Sequence, residues 1–278
     1  MTPAQLDLSF RWHPNRGTYL DRRVFRWPFT LSRGFRLDAI PSGMLTLILQ
    51  SASGAILADD ALVQRICVRA GAAAHITTQA ATIVYRAPAG MCATDVMELQ
   101  VEDGGMIEYL PEPRILFPES SLSQRLLLRA AHFGTAILSE GFVLHDPADQ
   151  GRPFRRYAAE LVIERPGGRI AAMDRIDLER MPQRGGRRTQ YAAYGLMLVV
   201  APLPPSALET LCRNITARLD ETTGIYAAAS VLPEEVGIGL RIAATDGLRL
   251  RTGLTAGWFA ARQHLFGCNP APRRKDAA

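Results

Sequence analysis

The sequence predicts a mostly-β protein, a single domain of stacked β units (sandwich or β-helix-like) with about two α-helices near the C-terminal third. Three observations carry this. Apolar and polar residues alternate with a period of two in several segments. Strand, tight turn, strand units recur along the chain. Helical spacing with helix-start signals is confined to the region after residue 200.

Taken in order, residues 16–40 are rich in arginine and aromatics, with turns near Gly17, Pro28 and Gly34. Leu45-Thr46-Leu47-Ile48-Leu49 is an apolar run of strand length. Met97, Leu99 and Val101 alternate with Glu98, Gln100 and Glu102, as in a half-buried strand. Tyr157, Ala159, Leu161 and Ile163 alternate against Glu160 and Glu164 in the same way.

A weak repeat connects these runs. Ile66-Cys67-Val68 passes through Gly71 into His75-Ile76-Thr77-Thr78. Leu99-Gln100-Val101 passes through Gly104-Gly105 into Ile107–Leu110. Leu126-Leu127-Leu128 passes through Gly134 into Ile137-Leu138. The turn glycines 71, 104 and 134 lie 33 and 30 residues apart, which suggests stacked units. Any all-β chain with a turn every ~8–12 residues gives a similar pattern, so both readings stay open at this level.

Late in the chain, Ser206 and Glu209 have the spacing of a capping box. Leu208, Leu211, Cys212, Ile215 and Leu219 follow at helical spacing, and Gly224 lies beyond them. A second helix is expected from near Thr245 to Leu265, with Leu250, Leu254, Trp258 and Leu265 on one side. Gly267 is its terminator, although Gly253 and Gly257 weaken the pattern. Ile225–Val231 and Val236–Ala243 read as strands. No linker divides the chain, so one domain over 1–278 is expected, with 268–278 as a frayed tail.

The 278 residues, 47% hydrophobic and 21% charged, suffice for a core without staples. No apolar run of about 18 residues occurs, so no membrane span is expected. Met1–Asn15 shows no secretory signal pattern. Cys67, Cys92, Cys212 and Cys268 are widely spaced, which suits reduced thiols in the cytoplasm. Cys67 and Cys212 are expected to be buried packing residues.

The net charge is +5, and Lys275 is the only lysine. The arginines are dispersed, and no nucleic-acid module accompanies them. Arg184, Arg187 and Arg188 read as a solvated loop, and Arg273-Arg274-Lys275 as part of the tail. Phosphate-loop, nucleophile-elbow and zinc-helix motifs are all missing. His13, His75, His132, His145 and His264 are isolated in the sequence; His75 and His264 are expected to be structural.

Between residues 43 and 117 the chain resembles the urease accessory D family, also called H. The residues that carry this are Gly54-Ala55-Ile56-Leu57-Ala58-Asp59-Asp60-Ala61-Leu62, then Gly71-Ala72, then Thr77-Thr78-Gln79-Ala80-Ala81-Thr82-Ile83-Val84-Tyr85-Arg86. Glu108-Tyr109-Leu110-Pro111 leading to Ile115-Leu116-Phe117 follows in the same order. Ser139–Phe142, Gly151-Arg152, Asp174-Arg175 and the segment from Trp258 extend the likeness, while residues 1–42 match less well. Ala55, Ala58 and Asp59 replace family glycines, and Ile83 replaces a lysine.

The resemblance implies a cytoplasmic urease maturation factor and not an enzyme. It implies a scaffold that binds an all-α accessory protein F, through it the GTPase accessory protein G, and the urease structural subunits. No nucleic acid and no membrane are expected as partners. No tightly bound cofactor is implied, but nickel in transit is. The isolated acids of the matched blocks, Asp60, Glu108 and Glu140, are candidates for a nickel path, because an ion in transit needs weak, exchangeable ligands. The plainer expectation is a turn-forming role for Asp60 and arginine partners for Glu108 and Glu140. Two rival readings are a β-rich hydrolase with a dispersed site and an arginine-rich nucleic-acid binder.

Overall fold

A computed structural model describes residues 3–181 and 191–271. The arginines at 184, 187 and 188 and the basic residues 273–275 lie outside the described residues.

The chain opens with β1 (Leu6–His13), β2 (Gly17–Phe25) and β3 (Phe29–Leu31). Three coils follow. The first is β4 (Leu45–Ser51), β5 (Ala55–Ile56) and β6 (Ala61–Val68). The second is β7 (Ala73–Thr78), β8 (Ile83–Val84) and β9 (Ala93–Val101). The third is β10 (Met106–Leu110), β11 (Arg114–Leu116) and β12 (Ser121–Ala130). The chain continues through β13 (Thr135–Leu144), β14 (Arg156–Arg165), β15 (Arg169–Glu179) and β16 (Ala193–Val200). It ends with α1 (Pro205–Asp220), β17 (Ile225–Val231), β18 (Gly237–Ala244) and α2 (Gly247–Phe266).

The stacking suggested by the turn glycines is real. β6, β9, β12 and β14 pair in parallel in a seven-stranded first sheet. β4, β7, β10 and β13 pair in parallel in the second. The two-residue strands β5 and β8 and the three-residue β11 form a third, short parallel row. Each coil therefore repeats second sheet, short row, first sheet, which is a β-helix with antiparallel strands at its ends. Gly71 and Gly104 turn the chain at φ of 71° and 68°, values a residue with a Cβ rarely adopts.

The space between the sheets is filled by Ile66, Leu99, Leu128 and Ile163 from one side and Ile76, Ile107 and Leu138 from the other. A second core lies between the other face of the second sheet and the helices, built from Ile137, Val199, Ile238, Leu211 and Trp258. The helix glycines have a packing reason. A Cβ on Gly257 would sit 2.8 Å from Leu240, and one on Gly253 would sit 3.1 Å from Ile242.

Several expectations need correction. The Ser206–Glu209 capping box does not form. The N-cap of α1 is Pro204 without a side-chain bond, and Pro205 presets the first turn, so Ser206 already lies inside the helix. The second helix is capped instead by Asp246, whose carboxylate accepts the Arg249 amide at 2.8 Å. Gly267 closes it in the left-handed conformation, as expected. Cys67 and Cys212 are half-buried; Cys67 lies between inward-facing Ile66 and Val68 and so points outward. Residues 268–271 are not frayed: Pro270 is buried, and the Ala271 amide donates to Asp38 at 2.9 Å.

The outward face of the first sheet carries matched charges. Arg65 pairs with Glu98, Arg69 with Glu102, Arg125 with Glu160 and Arg129 with Glu164. Much of the arginine excess on that face is thus neutralised by acids on the next strand. Among the described residues no helix is long and apolar enough to cross a membrane.

Candidate functional site

The interior of the coil is not apolar throughout. On β9 the inward positions are Asp95, Met97, Leu99 and Val101, and on β12 they are Leu122, Gln124, Leu126 and Leu128. Strand register sets Asp95 beside Gln124. Gln64 Nε2 donates to Asp95 Oδ1 at 2.8 Å, and Arg114 reaches the other oxygen from β11. Gln124 Nε2 crosses to the second sheet and donates to Glu140 Oε2 on β13 at 2.9 Å. One polar layer thus interrupts a hydrocarbon interior, and its members hydrogen-bond one another as buried polar groups must.

Two cavities meet at this layer, and a third adjoins the inner one. An inner one of about 120 Å³ is lined by Gln64, Asp95, Tyr109, Arg114, Gln124 and Glu140, among others. One of about 420 Å³ lies between the sheets at their far end, where Tyr157, Asp174, Tyr194, Tyr226 and Arg241 line it. Glu140 and Gly141 line both. A third, about 610 Å³, lies between the second sheet and α2, and shares Pro111, Glu112 and Ser139 with the inner one. At the mouth of the far cavity, Arg241 of β18 pairs with Asp174 of β15.

Burial pushes the Glu140 carboxyl up to about 7, with the Asp174 charge adding to the effect; the Gln124 hydrogen bond and the charges of Arg114 and Arg241 oppose it. Burial works against the Arg114 charge, yet the nearby Asp95, Tyr109 and Tyr157 hold its pKa above the ordinary arginine value. Burial raises Tyr109 and Tyr157, so both keep their protons at neutral pH.

The three candidate path acids are not brought together. Glu140 lies in the polar layer, and its hydrogen-bond partner is a glutamine instead of the expected arginine. Glu108 is fully buried on the opposite face of the second sheet, beneath α2. It accepts from His75 Nδ1 at 2.7 Å and lies 3.5 Å from Arg262, which also holds Asp38 at 2.8 Å. Asp60 accepts the Leu57 amide at 2.8 Å across its own turn and lines none of the three cavities.

The motif residues are distributed. Gly54 (φ 64°), Thr78 and Pro111 line the inner cavity, and Thr77 lines the one beneath α2. Tyr85 is exposed and meets Phe117 edge-on, while Arg86 bridges to Ser120. Gly151, at φ 70°, lets Arg152 fold back onto Asp146 with Nη2 2.7 Å from the carboxylate. That arginine, with three backbone amides, holds the Asp146 carboxyl well below the usual range. Sequence reasoning missed Gln64, Asp95, Arg114, Gln124, Asp174 and Arg241 as one site. A signal was there: stepping back by two from Met97 and from Leu126 lands on Asp95 and Gln124, polar residues at inward positions.

Among the described residues, no three His, Cys, Asp or Glu side chains group to hold a metal ion. The family model described as UreD urease accessory protein matches residues 2–277. The chain belongs to the UreD family. The match takes in most of residues 1–42. Similar relatives of this family include urease accessory protein UreD 2 of Bradyrhizobium sp. strain BTAi1, 39% identical over 99% of this chain and 95% of the relative. The UreD 2 protein of Bradyrhizobium sp. strain ORS 278 is 40% identical over 99% and 94%. UreD 1 of Methylorubrum extorquens strain PA1 is 35% identical over 94% and 88%.

Proposed function

We propose that this chain is a non-catalytic maturation factor of urease, a scaffold in the accessory complex that delivers nickel to apo-urease. The observation that carries this reading is the family match across residues 2–277. The partners it implies are the all-α accessory protein F, the GTPase accessory protein G recruited through it, and the urease subunits, all in the cytoplasm. Nickel is cargo here and not a resident cofactor.

The path proposed for the ion runs through the polar layer between the sheets. Support comes from Glu140, which lines both the inner and the far cavity. A lone carboxylate with amide and hydroxyl neighbours suits an ion that must leave again, whereas a closed cage of imidazoles or thiolates would retain it. In this reading Glu140 and Asp95 are the path acids. Glu108 serves to fix α2, and Asp60 to form its turn.

Deleting the chain from its organism and measuring the nickel content and activity of urease tests the role. The deletion strain should contain urease protein at normal abundance, poor in nickel and weakly active. Fully loaded urease in the deletion strain would contradict it.

A further inference from the structure

We propose that Arg114 is a specificity-determining residue of the inner cavity, a permanent counter-charge that keeps the cavity from holding a divalent cation tightly. The inference rests on the path reading above and adds to it what sets the ion's residence.

The charged groups lining the inner cavity are Asp95, Glu112, Arg114, Arg125 and Glu140. Two of them are engaged elsewhere: Arg125 pairs with Glu160 at 2.8 Å, and Glu112 lies 4.0 Å from Arg251. The remaining balance is two carboxylates, Asp95 and Glu140, against one guanidinium. Asp95 is almost fully buried and both its oxygens are occupied, one by Gln64 and the other by Arg114. Glu140 accepts a single hydrogen bond, from a neutral amide.

Without the guanidinium, the same cavity of about 120 Å³ would offer two carboxylates plus the amide and phenol oxygens of Gln64, Gln124 and Tyr109. Two converging carboxylates with neutral oxygen donors hold a divalent cation more tightly than a lone carboxylate does. Arginine suits the opposing role because it does not lose its proton under physiological conditions, whereas a buried lysine sheds its own readily. The cation facing Asp95 is Arg114 of β11.

The test is Ni²⁺ binding by the purified full chain, copurified with its accessory partner, at pH 8. If both carboxylates are ionised, the cavity's net charge is −1 in the wild type, −2 in Arg114→Gln, −1 in Asp95→Asn/Arg114→Gln and 0 in Asp95→Asn. Nickel affinity should rise with that negative charge, each unit changing it by about tenfold or more. Release of nickel to a chelator should slow in Arg114→Gln. The double variant replaces both partners of the Arg114–Asp95 pair with neutral groups, and in Asp95→Asn the guanidinium keeps Glu140 as its remaining anion, so comparing these two isolates the guanidinium where Arg114→Gln fails to fold. Equal affinity in those two variants, or no tighter binding by folded Arg114→Gln than by wild type, overturns the proposal. Should Asp95→Asn and Glu140→Gln leave urease loading untouched, the path reading itself fails. Slowed loading in those variants combined with unchanged affinity in Arg114→Gln removes only the role of Arg114.

Discussion

Gln124 donates to Glu140 across the interior of the coil at 2.9 Å, joining the first sheet to the second through two side chains inside a hydrocarbon core. Because the partner is a neutral amide, Glu140 bears its burial without a bonded countercharge, and its ionisation moves to about 7. This has a thermodynamic consequence. In the unfolded chain the carboxyl ionises near its ordinary value of 4.5. Between that value and about 7 the folded state keeps the proton and the unfolded state does not. Stability should therefore fall as pH rises through this window, by about 3 kcal/mol, and be flat above it for this group. Glu140→Gln should remove that slope and be at least as stable as wild type at pH 8, measured by urea denaturation across pH. A variant markedly less stable than wild type at pH 8 contradicts the assignment.

Glu108 should behave in the opposite way. It is fully buried between His75 and Arg262, and Arg262 is fully buried too. Glu108→Gln leaves the buried Arg262 guanidinium with one anion fewer, which costs about 3 kcal/mol in such a setting. The denaturation midpoint should drop accordingly. A midpoint within error of wild type would show that this network does not fix α2.

Asp60 tests the turn reading. Asp60→Asn retains an oxygen for the Leu57 amide, so stability should stay within about 0.5 kcal/mol of wild type and urease activation should be unchanged. Asp60→Ala, which loses the acceptor, should cost about 1 kcal/mol. Impaired activation by folded Asp60→Asn would instead assign the charge a direct role.

The two helix starts provide a contrast. Asp246→Ala removes the cap of α2 and should cost about 1 kcal/mol. Ser206→Ala should be nearly silent, because no side chain caps α1. Equal thermal shifts for the two variants would contradict this difference.

Much of the fold was legible because period-two alternation and turn glycines are local signals. The strand expected over 225–231 and the terminator Gly267 are found where the pattern put them. The short row of β5, β8 and β11 was not legible, since two- and three-residue strands carry no periodicity. The capping box misled because Pro204-Pro205 starts α1 two residues earlier than the serine implies. At the site, Glu140 was visible as an acid in an apolar strand, but its neighbours come from four other strands. Only the stacking register brings Gln64, Asp95, Gln124 and Arg114 to one layer. Glu108 and Glu140 looked alike in sequence because both lie in apolar contexts. They differ in which face of the second sheet they occupy, and strand alternation separates those faces only once the two cores are known.

The most direct test of the central claim is the rate at which purified accessory complexes load nickel into apo-urease. Complexes carrying Asp95→Asn or Glu140→Gln should assemble with the same stoichiometry as wild type and load urease several-fold more slowly, while Asp60→Asn loads at the normal rate. Wild-type loading rates with Asp95→Asn and Glu140→Gln together would contradict a path through the polar layer.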